Sequence, residues 1–382
     1  MRSQNTGPWV SSGLMVSTEA KPGKKRNGGH WDEEEDASGP RKKAAYALLV
    51  VGIIFLSGAG IMYMKIINAK SPDELEIVVY GFSIKGEVMN EKVIPAFQDH
   101  WQKKTGDKIN FRTNYDASSK VANQVIAGAP AEVMIFSTEW DAIQLQKAKM
   151  VTTDWRTFPH NGTVSTSPWI IMTRDGNPKG IADFSDLTKS NVDIVQADPA
   201  TSGGGVWTIF SIYGSELKRT EASEGAQNKT AARALLKGEI HNVVSWQGSA
   251  RNALTQFTMG FGDALIDYES DAFLANEKGD EKFGIVYPKC TISSEHKVVI
   301  VDKNVQSKER KLIEAFVDFL YTDEIQGYFA DYGFRSMNDD INAKHPEFVP
   351  IETPFTVDYL GGMEKAKPDI IDDVYKDIRG LK

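Results

Sequence analysis

Bond-breaking chemistry has no visible home in this sequence. Its six histidines, His30, His100, His160, His241, His296 and His345, stand singly, and none has a partner at metal-ligand spacing. There is no Gly-x-Ser-x-Gly elbow, no phosphate loop ending in Gly-Lys-Ser/Thr and no Gly-x-Gly-x-x-Gly after a strand. A single cysteine, Cys290, excludes an intrachain disulfide, a zinc knuckle and a Cys-x-x-Cys pair. No catalytic residue, metal ligand or cofactor site is therefore assigned, and the chain is expected not to be an enzyme. What recurs is small or hydroxyl-bearing residues where a strand gives way to a helix. Three such junctions are Asp116-Ala117-Ser118-Ser119-Lys120, Thr201-Ser202-Gly203-Gly204-Gly205 and Gly248-Ser249-Ala250-Arg251. A helix N-terminus carries unpaired N–H groups and partial positive charge, and Gly or Ser lets an anion approach the backbone closely. The chemistry on offer is oxyanion binding. Each junction is also ordinary helix capping, so the three matter only if the fold makes them converge.

Junctions of this kind require alternating strands and helices, and the sequence supplies both after Ser71-Pro72, in the manner of an α/β protein. Leu75, Ile77 and Val79 alternate along a strand. Met89, Val93, Phe97 and Trp101 mark one helix face that stops at Thr105-Gly106-Asp107. A strand with Ile109 and Phe111 follows, then a helix with Ser118 as its expected N-cap, a strand over 133–136 and a helix with Trp140, Ile143 and Leu145. Downstream, strands are predicted over 169–172, 192–195, 243–245, 264–266, 283–287 and 298–301. Helices are predicted over 203–213, 250–259, 308–321 and 323–332.

The 382 residues carry a net charge of −8 that conceals a split. Residues 1–70 hold 10 basic and 6 acidic side chains, so the remainder holds 34 and 46. A body that acidic excludes nucleic acid as a partner, since such binding needs Lys and Arg on phosphates. The split coincides with AAYALLVVGIIFLSGAGIMYM over 44–64, uncharged, preceded by Arg41-Lys42-Lys43 and flanked by Tyr46 and Tyr63. At about 1.5 Å per residue this run crosses the roughly 30 Å hydrocarbon core, and the basic flank places the N-terminus in the cytoplasm. The alternative is a cleaved leader with Ser57-Gly58-Ala59 at its cleavage site. The expected organisation is a disordered cytoplasmic tail over 1–43, a transmembrane anchor over 44–64, a linker over 65–74, and an extracytoplasmic domain from 75 to the end.

From Ile77 to Met337 the chain resembles the sulfate/thiosulfate-binding proteins of ABC importers. The resemblance rests on AFQDHWQKKTGDKI (96–109), SSK (118–120), TRDGNPKGIADFSDL (173–187), TSGGGVW (201–207), SAR (249–251), FGDALIDYESDA (261–272) and FLYTDEIQGYFADYGFR (319–335). It implies a two-lobed periplasmic-binding-protein type II fold in the α/β class. Each lobe is a mixed sheet flanked by helices, with lobe I over 75–165 and 269–382 and lobe II over 166–268. It implies capture of a tetrahedral oxyanion, sulfate or thiosulfate first, and delivery to an ABC permease and ATPase. Anion contacts fall to Ser118, Ser202, Gly203, Gly204, the backbone of Ala250, and Tyr268, with Ser83 a looser candidate. Ser119, Arg251 and Asp116 stand behind them, Arg251 orienting the Ala250 turn.

The chain departs from the family at three points. Tyr268 replaces a tryptophan, as in molybdate-binding relatives; Asp116-Ala117 replaces Gly-Gly; and Val206 replaces an arginine. Molybdate, tungstate and phosphate are accordingly alternative ligands. A different alternative is an anion-sensing or docking ectodomain that signals through the N-terminal tail.

Overall fold

The computed structural model describes residues 75–279 and 281–381. The expected tail, anchor and linker over 1–74 lie outside them. Among the described residues no helix is long and apolar enough to cross a membrane.

In LEIVVYGF the apolar residues that form β1 (Leu75–Phe82) are largely buried. It lies between β2 (Ile109–Asp116) and β3 (Val133–Phe136), parallel to both. β4 (Thr163–Thr173) is the pivot of the sheet. Its first half pairs antiparallel with β9 (Cys290–Ile300) through Pro168, and from Trp169 it pairs instead with β7 (Ala264–Tyr268). Beyond β7 come β5 (Ile194–Ala197) and β6 (Val243–Gln247), parallel to it and to each other, while β8 (Gly284–Val286) also pairs with β4. The order is β2-β1-β3-β9-β4-β7-β5-β6, with β10 (Thr353–Phe355) against β9. The uninterrupted apolar run of β3 is buried on both faces, as central strands of a covered sheet are.

Helices leave the C-terminal ends of the parallel strands. A helical run from Ser83 leads into α1 (Ile94–Thr105), which Gly106 ends in the left-handed conformation at φ 86°. α2 (Ser118–Ile126) follows β2, α3 (Glu139–Lys147) follows β3, and α4 (Gly203–Glu224) follows β5. After α5 (Lys229–His241), α6 (Ala250–Thr258) follows β6 and α7 (Glu269–Lys278) follows β7. In open α/β sheets, ligands bind outside these carboxyl ends. α8 (Arg310–Phe319) buries Leu312, Ile313, Phe316 and Val317 on one face, and α9 (Asp323–Asp331) comes next.

Three expectations need correction. Ser118 is not the N-cap of α2. Ala117 takes that place without a side-chain cap, because the Ser118 hydroxyl donates to a buried carboxylate, Asp141, at 2.6 Å. α4 runs eleven residues past Tyr213, and nearly all its first half is buried. β9 begins at Cys290 rather than Val298, since its buried Thr291, Ser294 and His296 hide the apolar pattern of a strand.

On α5, Glu239 is fully buried, and neither carboxyl oxygen has a hydrogen-bond partner. Burial pushes its pKa up to about 8 from 4.5, against a smaller opposing pull from Arg379. An acid whose folded pKa exceeds its unfolded value holds its proton in the fold, so its contribution to stability is lost as pH rises from 4.5 to 8. Glu239→Gln is therefore expected to raise unfolding stability by about 3 kcal/mol at pH 7 and by nothing below pH 4.5. Urea unfolding across that range measures the difference.

Candidate functional site

α4 starts at a cap that does not cap. Ser202 has the extended backbone of an N-cap, yet its hydroxyl makes no bond to the first turn, so no side chain occupies the amides of Gly203 and Gly204. The three glycines have different physical reasons. A β-carbon on Gly205 would lie 2.4 Å from Pro199 N and 2.6 Å from Ala197 O, so glycine lets α4 pack on the chain leaving β5. On Gly203 it would lie 2.5 Å from Ser137 Oγ, and on Gly204 3.1 Å from Ala250 Cβ and 3.5 Å from the Tyr268 ring. α4 thus begins where the ends of β3, β6 and β7 meet.

Those ends are wired together. Ser137, just after β3, gives its N–H to Ser118 Oγ at 3.2 Å, shares a 2.5 Å hydrogen bond between its Oγ and the Tyr268 hydroxyl, and accepts Trp207 Nε1 at its carbonyl at 2.8 Å. The Tyr268 ring meets Trp169 edge-on at 4.1 Å and lies beside Phe82 at 5.9 Å. Burial pushes its phenol well above the ordinary value, so the hydroxyl keeps its proton. Ser202, Gly203, Gly204, Ala250, Ser118 and Tyr268, the expected site residues, are all buried together here.

Asp141 on α3 sets the hydroxyls of α2. It is buried and accepts Ser118 Oγ at 2.6 Å, Ser119 Oγ at 2.8 Å and Thr138 Oγ1 at 3.0 Å. Burial raises its pKa while the three hydroxyls and the nearby Lys367 lower it. With that proton given to Asp141, the group Ser118 keeps for an anion is its amide, which no side chain caps.

The remaining expected residues are placed as follows. Ser83 opens the turn Ser83–Lys85, which packs against α6. Asp116 accepts the Ala117 N–H at 2.7 Å and pairs with Lys120 at 2.5 Å. The Ala250 turn is capped by Ser249, which accepts from the Asn252 N–H, whereas Arg251 reaches Glu87 at 2.9 Å and Asp271 at 3.7 Å. A groove of about 570 Å³ opens beside the cluster, between Ser119 and Lys120 on one side and Thr201 and Asn252 on the other. Among the described residues no group of three or more His, Cys, Asp or Glu side chains is placed to hold a metal.

Ser137 and Asp141 were not singled out from the sequence. Ser137-Thr138 had the signal, two hydroxyl residues between a strand and a helix, and Asp141 had none. Chemically, the arrangement gathers neutral N–H and O–H donors at three helix starts, which can stabilise an anion in a site sealed from water without a paired cation.

The family described as bacterial extracellular solute-binding protein matches residues 86–335. A sulfate-binding protein of Synechococcus elongatus is 35% identical over 79% of this chain and 85% of its own length. A thiosulfate-binding protein of Pseudomonas aeruginosa is 34% identical over 70% of this chain and 80% of its own. The structure of the sulfate-binding protein SubI from Mycobacterium tuberculosis superposes with a TM-score of 0.69 at 28% identity, covering 78% of this chain and 99% of that one. With its fold, its helix-start cluster and these relatives, the chain belongs to the bacterial extracellular solute-binding proteins, in the group that includes the sulfate- and thiosulfate-binding proteins.

Proposed function

We propose that this protein captures a tetrahedral oxyanion, sulfate or thiosulfate, outside the cytoplasm and delivers it to an ABC importer. The observation that carries this reading is the convergence of the uncapped starts of α2 and α4 with the Ala250 turn and the Tyr268 hydroxyl, all neutral donors. The relatives named above favour sulfate and thiosulfate among such anions. The ligand contacts are the amides of Ser118, Gly203, Gly204 and Ala250 and the hydroxyls of Ser202 and Tyr268, with Ser83 from the facing turn. Molybdate or tungstate is the second reading, favoured by the phenol of Tyr268 where the sulfate proteins carry tryptophan.

Two lobes close over the anion, lobe I holding Ser83 and Ser118 and lobe II holding Ser202, Ala250 and Tyr268. Support comes from β4, which changes partners between Pro168 and Trp169. The pairing of Gly284–Val286 with β4 argues for extending lobe II from 166–268 through β8. In this reading 44–64 anchors the domain to the membrane, with 1–43 on the cytoplasmic side.

Thermal unfolding of the full-length protein with millimolar sulfate, thiosulfate, molybdate, tungstate, phosphate and chloride tests the function. The reading expects stabilisation by sulfate or thiosulfate above the other anions, since a ligand that binds only the folded state raises its melting temperature. A larger shift with molybdate or tungstate selects the second reading, and no shift with any tetrahedral anion rejects both.

A further inference from the structure

The proposed anion contacts are all neutral donors, yet a buried amine stands behind one wall. Lys85 ends the turn that begins with Ser83. It is fully buried, its Nζ lies 3.5 Å from the centre of the Phe334 ring and 3.9 Å from that of Phe329, and it donates to Ser165 Oγ at 2.6 Å. Ser165 on β4 faces His296 on β9, whose Nδ1 is 2.8 Å from the same hydroxyl. His296 packs on Phe82 at 4.8 Å and on Tyr268 at 5.8 Å between ring centres, so the chain of contacts runs from the amine to the proposed anion contact.

Charged and titratable groups stand on the elements packed around Lys85. On β9 there are His296, Lys297 and Glu295; Tyr268 ends β7, and Tyr115 at the end of β2 packs over Gly86. Glu87 is paired with Arg251, and Glu269 with Arg335. Among the described residues, none of these acids forms an ion pair or hydrogen bond with the amine. A buried ammonium without a carboxylate is costly, and the two aromatic rings and one hydroxyl around Lys85 offset that cost only in part.

We propose that Lys85 is the charge-selecting residue of this site: a dianion entering the cleft brings one proton from solvent onto Lys85 Nζ, so the site prefers dianions to monoanions. The inference rests on the oxyanion reading above. The proton is taken by the amine lone pair, and the ammonium keeps its hydrogen bond to Ser165, whose hydroxyl donates to His296. In support, burial holds the Lys85 amine well below the ordinary lysine range, and burial, with Lys85 and Lys297 nearby, holds His296 well below its own. Both bases therefore have room to gain a proton when negative charge arrives.

The test is calorimetric titration of full-length wild type, Lys85→Met and Lys85→Arg with sulfate from pH 6 to 10, repeated in two buffers of different ionisation enthalpy. Wild type is expected to take up close to one proton per sulfate in the upper part of this range and to lose affinity up to tenfold per pH unit there. Lys85→Met, whose side chain suits the aromatic cage, should bind sulfate at least tenfold more weakly with no proton uptake. Lys85→Arg carries a fixed charge and should keep affinity without pH dependence. A ¹³C resonance of the Lys85 Cε, assigned by its loss in Lys85→Met, should shift to the protonated position when sulfate is added. Wild-type binding without proton uptake and an unchanged Kd in Lys85→Met would overturn the role of Lys85 while leaving the oxyanion reading intact. Absence of sulfate binding by wild type would remove both.

Discussion

Gly203→Asp is expected to lower affinity for the oxyanion by more than about a thousandfold while the protein still folds. Two effects act together. A β-carbon at 203 would lie 2.5 Å from Ser137 Oγ and 2.8 Å from Ser137 Cβ, so it wedges α4 away from the loop after β3. The carboxylate then sits among the donors that would hold a dianion, where like charge in a desolvated site is costly. The fold survives because aspartate is favourable at a helix start and residue 203 opens α4. Gly203→Ala separates the two contributions, since it carries the wedge without the charge and should cost about ten- to a hundredfold. Binding isotherms and urea unfolding of the same preparations measure both quantities. Unchanged affinity in Gly203→Asp places the site elsewhere in the molecule.

Two positions further on, the expected damage is to stability instead. Helix propensity alone would make Gly205→Ala stabilising by about 1 kcal/mol. The structure reverses that sign. The added methyl would meet Pro199 N at 2.4 Å, the Asp198 carbonyl carbon at 2.5 Å and Ala197 O at 2.6 Å, all of them backbone atoms that no rotamer change can move aside. Gly205→Ala is therefore expected to cost about 3 kcal/mol or more, at the upper end of overpacking effects. Urea unfolding decides the sign, and a stabilised variant would refute the packing argument. Adjacent glycines in one motif thus serve different ends, Gly203 and Gly204 the approach of other groups and Gly205 the seating of the helix.

The candidate site was legible in the sequence to the extent that each proposed contributor looks like a local motif. Ser118, Ser202 and Ala250 could be picked out because Ser, Gly and Ala at the junction of a strand and a helix have a recognisable local chemistry. Their convergence was not in the junctions themselves. It follows from strand direction: β3 and β7 are joined through antiparallel β9 and β4 and run in opposite senses, so the C-terminal ends of β2 and β3 face those of β5, β6 and β7. Asp141 was invisible because a buried carboxylate that orients three hydroxyls is indistinguishable in sequence from an acid in the first turn of a helix. β9 was recognised only in its last apolar residues, since Ser294 and His296 are polar yet buried by hydrogen bonds to Ser167 and Ser165. After Asp331, β10 has only three residues and takes its order from pairing with β9, whereas the helical stretch from Met363 to Ile378 buries Met363, Ala366, Ile370, Ile371 and Tyr375 at helical spacing, a pattern the sequence reading passed over.

The central claim is that the helix-start cluster binds a tetrahedral dianion. Calorimetric titration of the full-length protein with sulfate, with thiosulfate in a parallel cell, tests it most directly. The account predicts saturable binding of one anion per chain, lost in Gly203→Asp. Heat indistinguishable from dilution for both anions, in a preparation that unfolds cooperatively, would contradict it.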